Sequence, residues 1–175
     1  MQETIVAERV VFQGRSLRVL ERDIQLSESK TVTWEVLAKG DSVAIVALDD
    51  DNFVWLVEEY FGAINERSLC LPKGRVDNGE LPAAAAAREL REEIGMGGEL
   101  EHLITMSVSP GYLTQRTEVF LATGLHPDPL PGDEAHHLEI VRIPLSQAIE
   151  MCGQGAITEA RTIAAIMFAG RKLGC

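Results

Sequence analysis

Apolar and polar positions alternate through most of the first 70 residues. The segments AERVVF (7–12), SLRVLERDIQL (16–26), TVTWEVLA (31–38) and SVAIVAL (42–48) carry β-branched residues and partial alternation, broken by QGRS, SESK and KGDS. Such runs predict strands. NFVWLVEEYF (52–61) and RSLCLP (67–72) predict two more. The period then lengthens, and a helix is expected from Leu81 to Ile94, with Pro82 in its first turn and Gly95, Gly97 and Gly98 marking its end. Beyond it, LEHLITMSV (100–108), TEVFLATGL (117–125) and LEIVRIP (138–144) return to strand pattern. SPGYLTQR and the Pro-rich, acidic HPDPLPGDEAHH separate them. LSQAIEMC (145–152) and TEARTIAAIMFAGRKL (158–173) are helical in period, the last placing Ile163, Ile166 and Met167 on one core-facing stripe. Strands, a helix, strands and helices in that order predict an α+β fold. The 175 residues suit one domain with a real core.

The first helix has two distinct faces. At about 100° per residue, Ala83, Ala86, Ala87, Leu90 and Ile94 share one, and the small residues let the helix lie close to a sheet. Glu89, Glu92 and Glu93 fall together on another. Like charges at this spacing repel, and Arg88, four residues before Glu92, can orient one of them. The face is either a solvated acidic surface, partly neutralised by Arg88 and Arg91, or a site for hard divalent cations. Magnesium favours carboxylate oxygens, waters and substrate phosphates.

Charge narrows the partners. A net charge of −11 argues against electrostatic capture of nucleic acid or an anionic membrane. A polyanionic substrate then needs bridging cations. Cys70, Cys152 and Cys175 lack the spacing of a disulfide framework or a zinc site. Cys70 reads as buried packing. No apolar run approaches the roughly 20 residues that span a bilayer. MQETIVAERV lacks a basic region followed by an apolar one. A cytoplasmic protein is the expectation.

The residues flanking the acidic helix decide between its two readings. Gly74, five residues, Glu80, seven residues, then Arg88-Glu89-Leu90-Arg91-Glu92-Glu93-Ile94-Gly95-Met96 matches every fixed position of the Nudix box, G-x5-E-x7-R-E-U-x-E-E-x-G-U. The box spans residues 74–96, and the strand pattern around it also resembles the family. The resemblance implies an α/β/α sandwich with a mixed central sheet and an N-terminal antiparallel strand region. It implies a hydrolase of nucleoside diphosphates linked to a group X, working with magnesium or manganese. Glu89, Glu92 and Glu93 are then the catalytic metal-ligand set, with Glu80 nearby and the backbone carbonyl of Lys73 as a further ligand. Arg88 takes a structural role, and Gly74 and Gly79 shape the loop. Arg75, Arg91 and Arg116 are candidates for stabilising phosphate charge.

Ser109-Pro110-Gly111-Tyr112 resembles the S-P-G-[FY] motif of the ADP-ribose pyrophosphatase subgroup, with Pro110 lying 14 residues beyond Met96. Two positions depart from that subgroup. Phe61 stands where a substrate-holding arginine is usual, and Gln115 stands where a glutamate can serve as general base. Glu118 and the box glutamates remain as candidate bases. These departures, with EEYFGA, LPKGRVDNGE, GDEAHHLEIVRIPL and EARTIAAIMF, resemble the bacterial ADP compounds hydrolase branch. That branch accepts ADP-ribose, short diadenosine polyphosphates and NADH, releasing AMP. Tyr112, Phe61 or Tyr60 could stack on adenine, beside Pro110, Gly111 and Arg75. Asp133 and Glu134 are candidates for closing over the site, and His136-His137 reads as a solvated pair.

The resemblance also implies a homodimer in which N-terminal strands, within residues 1–45, lie against the partner. The alternatives are a Nudix pyrophosphatase for a sugar nucleotide or capped RNA end, and a Nudix-fold sensor without catalysis.

Overall fold

A computed structural model describes residues 2–132 and 138–174 of the chain. Contacts divide it into two compact units, Met1–Asp41 with Ser107–Arg116, and Ser42–Met106 with Thr117–Cys175.

In the first unit, β1 (Thr4–Gln13), β2 (Arg18–Ser27) and β3 (Lys30–Ala38) form a three-stranded antiparallel sheet in that order. Charged side chains pair across it, Arg9 with Glu21 and Asp23, and Arg22 with Glu8. Solvent screens such pairs, so they set register more than they add stability. The segment Ser107–Arg116 is fastened to the end of β3. Leu37 N–H donates to the Tyr112 carbonyl at 2.6 Å, and Thr114 N–H donates to the Leu37 carbonyl at 3.1 Å. The Gln115 side-chain amide donates to the Gly40 carbonyl at 2.8 Å. The N-terminal strand region therefore stops at Asp41 and recruits a segment some 70 residues later in the chain.

The second unit is built on one sheet. Its main path is β10 (Glu139–Pro144), β5 (Phe53–Phe61), β4 (Ser42–Leu48), β9 (Arg116–Pro127) and β8 (Met96–Ser107). Two short strands extend it, β6 (Glu66–Cys70) on β5 and β7 (Lys73–Arg75) on β4. The sheet is mixed, since β4 runs parallel to β9 and antiparallel to β5 and β7. Alternation along β4 feeds two cores. Val46 and Leu48 join the layer under α2 (Leu145–Gln154) and α3 (Ala160–Leu173). Val43, Ile45 and Ala47 join the layer under α1 (Pro82–Glu93). Both faces are covered, which is why the strand is an unbroken apolar run. This is the α+β layering, with antiparallel N-terminal strands, that the sequence resemblance implies. No helix among the described residues is long and apolar enough to cross a membrane.

Three expectations need correction. The buried stripe of α1 is Ala85, Ala86, Glu89, Leu90 and Glu93, while Ala83 is exposed and Ala87 only half-buried. The helix is rolled toward its carboxylates because two of them find partners on β7. Met167 is exposed, since α3 packs through Ala165, Ile166, Ala169 and Gly170 instead. Gly97 and Gly98 lie inside β8 rather than in a break. The helix is stopped by Gly95, whose φ of 70° is left-handed backbone that glycine adopts without strain. Strand β7 adds to the elements predicted from sequence, since three residues show no period.

Candidate active site

The site starts from a strand that leaves room for a helix. A Cβ added at Gly74 would stand 1.9 Å from Glu89 Cδ. Only glycine lets the Glu89 carboxylate seat against β7. Pro82 opens α1 without a side-chain cap. Just before it, Asp77 N–H donates to Glu80 Oε2 at 3.0 Å and folds the loop so that Glu80 faces the helix.

Arg88 then gathers three carboxylates. Its Nε donates to Glu80 Oε1 at 3.1 Å and its Nη2 to Glu80 Oε2 at 3.0 Å, a bidentate pair. Its Nη1 donates to Glu89 Oε1 at 2.7 Å and to Glu92 Oε2 at 2.9 Å. Nη2 also donates to the Arg75 carbonyl at 2.9 Å, tying the helix to β7. The expectation that Arg88 orients a single carboxylate is too small. The Glu80 carboxyl is held below its usual range, first by its hydrogen bonds from Arg88. Arg88 itself is raised, chiefly by Glu80.

Glu93 is held differently. It is buried, and its Oε2 accepts the Lys73 backbone N–H at 3.1 Å. Burial pushes its pKa up to about 8, and the Lys73 ammonium and N–H offset only part of that. The Lys73 side chain is buried as well, ion-paired with Glu59, with Nζ 3.1 Å from Cys70 Sγ and 5.2 Å from the centre of the Phe61 ring. Burial opposes this ammonium, but neighbouring anions, including Glu59 and Glu93, hold its pKa above the usual range. Burial drives the Cys70 thiol up to about 12, so it packs rather than reacts.

The donor chemistry suits a hard cation, since every acidic group here offers oxygen. In this arrangement Arg88 and the Lys73 N–H take those oxygens, and among the described residues no three acidic, His or Cys side chains stand ready as a metal cage. A cation would take over part of what Arg88 now does.

The other site residues expected from sequence divide between the two units. Lys73, Arg75, Glu80, Glu89, Glu92 and Glu93 come together, and Phe61 packs partly buried on the same side of the sheet. Arg91 is engaged by Asp128, to both its carboxylate and its carbonyl. Pro110, Gly111 and Tyr112 belong to the first unit, where Tyr112 is 59% exposed. With Trp34, Arg22 and Val36 they line a cavity of about 140 Å³. Arg116 is the last residue of that unit's second segment, its N–H donating to Asp41 Oδ1 at 2.9 Å. Asp133, Glu134, His136 and His137 lie outside the described residues. Sequence reasoning missed Glu59 as the partner of Lys73, and also the contacts of His102 and Thr105 with Glu118. No motif announces them, because each depends on strand pairing.

Comparison with known proteins agrees with the fold and the family that the box resembles. The NUDIX domain pattern matches residues 38–166. An ADP compounds hydrolase of Escherichia coli is 31% identical over 166 residues, covering 93% of this chain and 89% of that protein. An ADP-ribose pyrophosphatase of Mycobacterium tuberculosis is 34% identical over 172 residues, covering 94% and 81%. A crystal structure of an ADP compounds hydrolase superposes with a TM-score of 0.89 at 29% identity, covering 99% of this chain and 95% of that one. With a complete box folded around Arg88 and Gly74, the chain belongs to the Nudix family and is a Nudix pyrophosphohydrolase.

Proposed function

We propose that this chain hydrolyses the diphosphate bond of ADP-linked compounds such as ADP-ribose, diadenosine di- and triphosphate and NADH, releasing AMP, with magnesium or manganese. The observation that carries the reading is the gathering of Glu80, Glu89 and Glu92 by one guanidinium, beside the buried Glu93. Glu89, Glu92 and Glu93 would hold the cation, with Glu80 and the Lys73 carbonyl beside them. Bound there, it supplies Lewis acidity to the phosphate and lowers the pKa of a water. Arg88 keeps the carboxylates oriented, and Gly74 fixes how far Glu89 stands from the strand. The names of the two curated relatives support ADP-linked substrates, as do Ser109, Pro110, Gly111 and Tyr112. Tyr112, exposed beside Trp34 and Arg22, offers a ring for adenine to stack on. Phe61, Arg75 and Arg116 are further substrate contacts on this reading.

The same reading includes a homodimer. All ten residues of β1 are exposed, and Ile5, Val6, Val10, Val11 and Phe12 stand on an edge strand that, among the described residues, pairs only with β2. An apolar edge of this kind attracts a second chain.

A substrate panel tests the function: ADP-ribose, diadenosine triphosphate, NADH, a sugar nucleotide and capped RNA, each with magnesium. AMP released from the first three is expected. Turnover of only the sugar nucleotide or capped RNA moves the specificity. Binding of ADP-ribose without turnover of any compound converts the chain to a sensor.

A further inference from the structure

Glu118 sits at a position that neither the box nor the relatives' names explain. In the sheet it stands beside Val43, and Val43 stands beside Gly74, the residue against which Glu89 is seated. Side chains directly across strands share a face. Alternation on β9 agrees, because Phe120 and Ala122 lie in the layer under α1 while Val119 and Leu121 lie in the opposite one. Glu118 therefore projects on the face that carries the box helix, two strands from Gly74, or about 10 Å.

Its carboxylate is held on the far side of that row. Oε2 accepts from Thr105 Oγ1 at 2.6 Å and meets His102 Nε2 at 2.7 Å, both on β8. The His102 ring is itself braced edge-on against Phe120, with centroids 5.4 Å apart. Both contacts fall on Oε2, and among the described residues Oε1 has no protein donor. The Glu118 side chain is 21% exposed, so it is not sealed from solvent.

Distance decides what such a group can do. A general base must come within about 3 Å of the proton it removes. A carboxylate turned toward β8, about 10 Å from the strand position on which Glu89 is seated, is better placed for a group further along the substrate than for the attacking water. A sugar attached to a diphosphate held at the box carboxylates would extend over a span of this order. Ribose hydroxyls are donors, and a preorganised carboxylate is the acceptor that dinucleotide sites use for them. Resting on the hydrolase reading above, we propose that Glu118, held by His102 and Thr105, is a specificity residue that accepts hydrogen bonds from the hydroxyls of the group X beyond the diphosphate.

Steady-state kinetics with two substrates test this: ADP-ribose, and the ethyl ester of ADP, whose X has no hydroxyl. Glu118→Gln raises KM for ADP-ribose about tenfold with kcat within about threefold, and leaves the ethyl ester unaffected. Thr105→Val and His102→Ala, which loosen the same carboxylate without removing it, raise KM for ADP-ribose by about two- to fivefold and spare the ester. An unchanged KM for ADP-ribose in an active Glu118→Gln enzyme overturns the assignment. So does an equal loss on both substrates, which marks a structural role. Failure of the unmutated chain to hydrolyse either compound overturns the ADP-linked substrate reading on which this assignment rests, and the assignment with it.

Discussion

Strands β1 and β4 are both rich in β-branched residues, yet all ten residues of TIVAERVVFQ are exposed and all seven of SVAIVAL are buried. The difference lies in what covers them. Strand β4 has a strand on either side and helices over both faces, while β1 is an edge strand with one neighbour. Apolar content therefore says that a strand wants burial, not where it finds it. In β4 the partner is the chain's own helices. In β1 it is, on the reading above, a second chain.

The sharpest way to break this comparison is one substitution made in both places. Ile45, fully buried on β4, and Ile5, 55% exposed on β1, are the same residue in opposite settings. Ile45→Ala costs about 2–5 kcal/mol in chemical denaturation, whereas Ile5→Ala stays within about 0.5 kcal/mol for the monomer. Equal costs would mean that β1 is covered in the protomer.

Chemistry separates the two regions as well. Glu93→Gln, on the buried side, lowers turnover about a hundredfold or more in a magnesium assay. Its melting temperature in chelator is unchanged or slightly higher, because a neutral amide escapes the burial cost that raises the Glu93 pKa and can still accept the Lys73 N–H. A full-rate variant at saturating magnesium removes Glu93 from the ligand set. Gly74→Ala forces Glu89 from its seat on β7 and lowers turnover about tenfold or more, by analogy with lost orienting contacts. Normal activity there would show that Glu89 has other room.

If β1 is the dimer edge proposed above, charges placed on it act on assembly alone. Val10→Asp with Phe12→Asp yields monomers by light scattering with monomer stability little changed, and a dimer that survives both changes places the interface elsewhere.

The smallest effect is at the start of α3. Glu159 caps the helix, accepting the Thr162 N–H at 2.8 Å and pairing with Arg161. Burial opposes its charge, but Arg161 and Thr162 outweigh it and lower its folded-state pKa. A depressed carboxylate stabilises fully above its unfolded pKa and loses that contribution as pH falls through the folded value. Glu159→Gln should cost about 1 kcal/mol near neutral pH and less in acid. A loss that grows on acidification contradicts this sign.

Strand and helix order, the box and its chemistry were legible because they are local. Alternation marks a strand, and the spacing from Gly74 to Met96 marks a loop and helix built around four glutamates. What local pattern leaves open is rotation and pairing. Helical periodicity chose Ala83 and Ala87 for the packed face, but the seat at Gly74 and the N–H of Lys73 rolled Ala85, Glu89 and Glu93 inward. Lys73 in sequence is only a residue before a glycine. Its burial with Glu59, Cys70 and Phe61 exists because β5, β6 and β7 meet.

The sequence by itself thus determined the family, the spacing of the four box glutamates and the layered α+β plan, since each is written in the spacing of near neighbours. Only the tertiary structure decided how one arginine is shared among three glutamates, that Glu118 turns toward His102 and Thr105, and that Ser107–Arg116 joins the N-terminal strands. Those are contacts between residues far apart in the chain, and strand register, which no short stretch encodes, sets them.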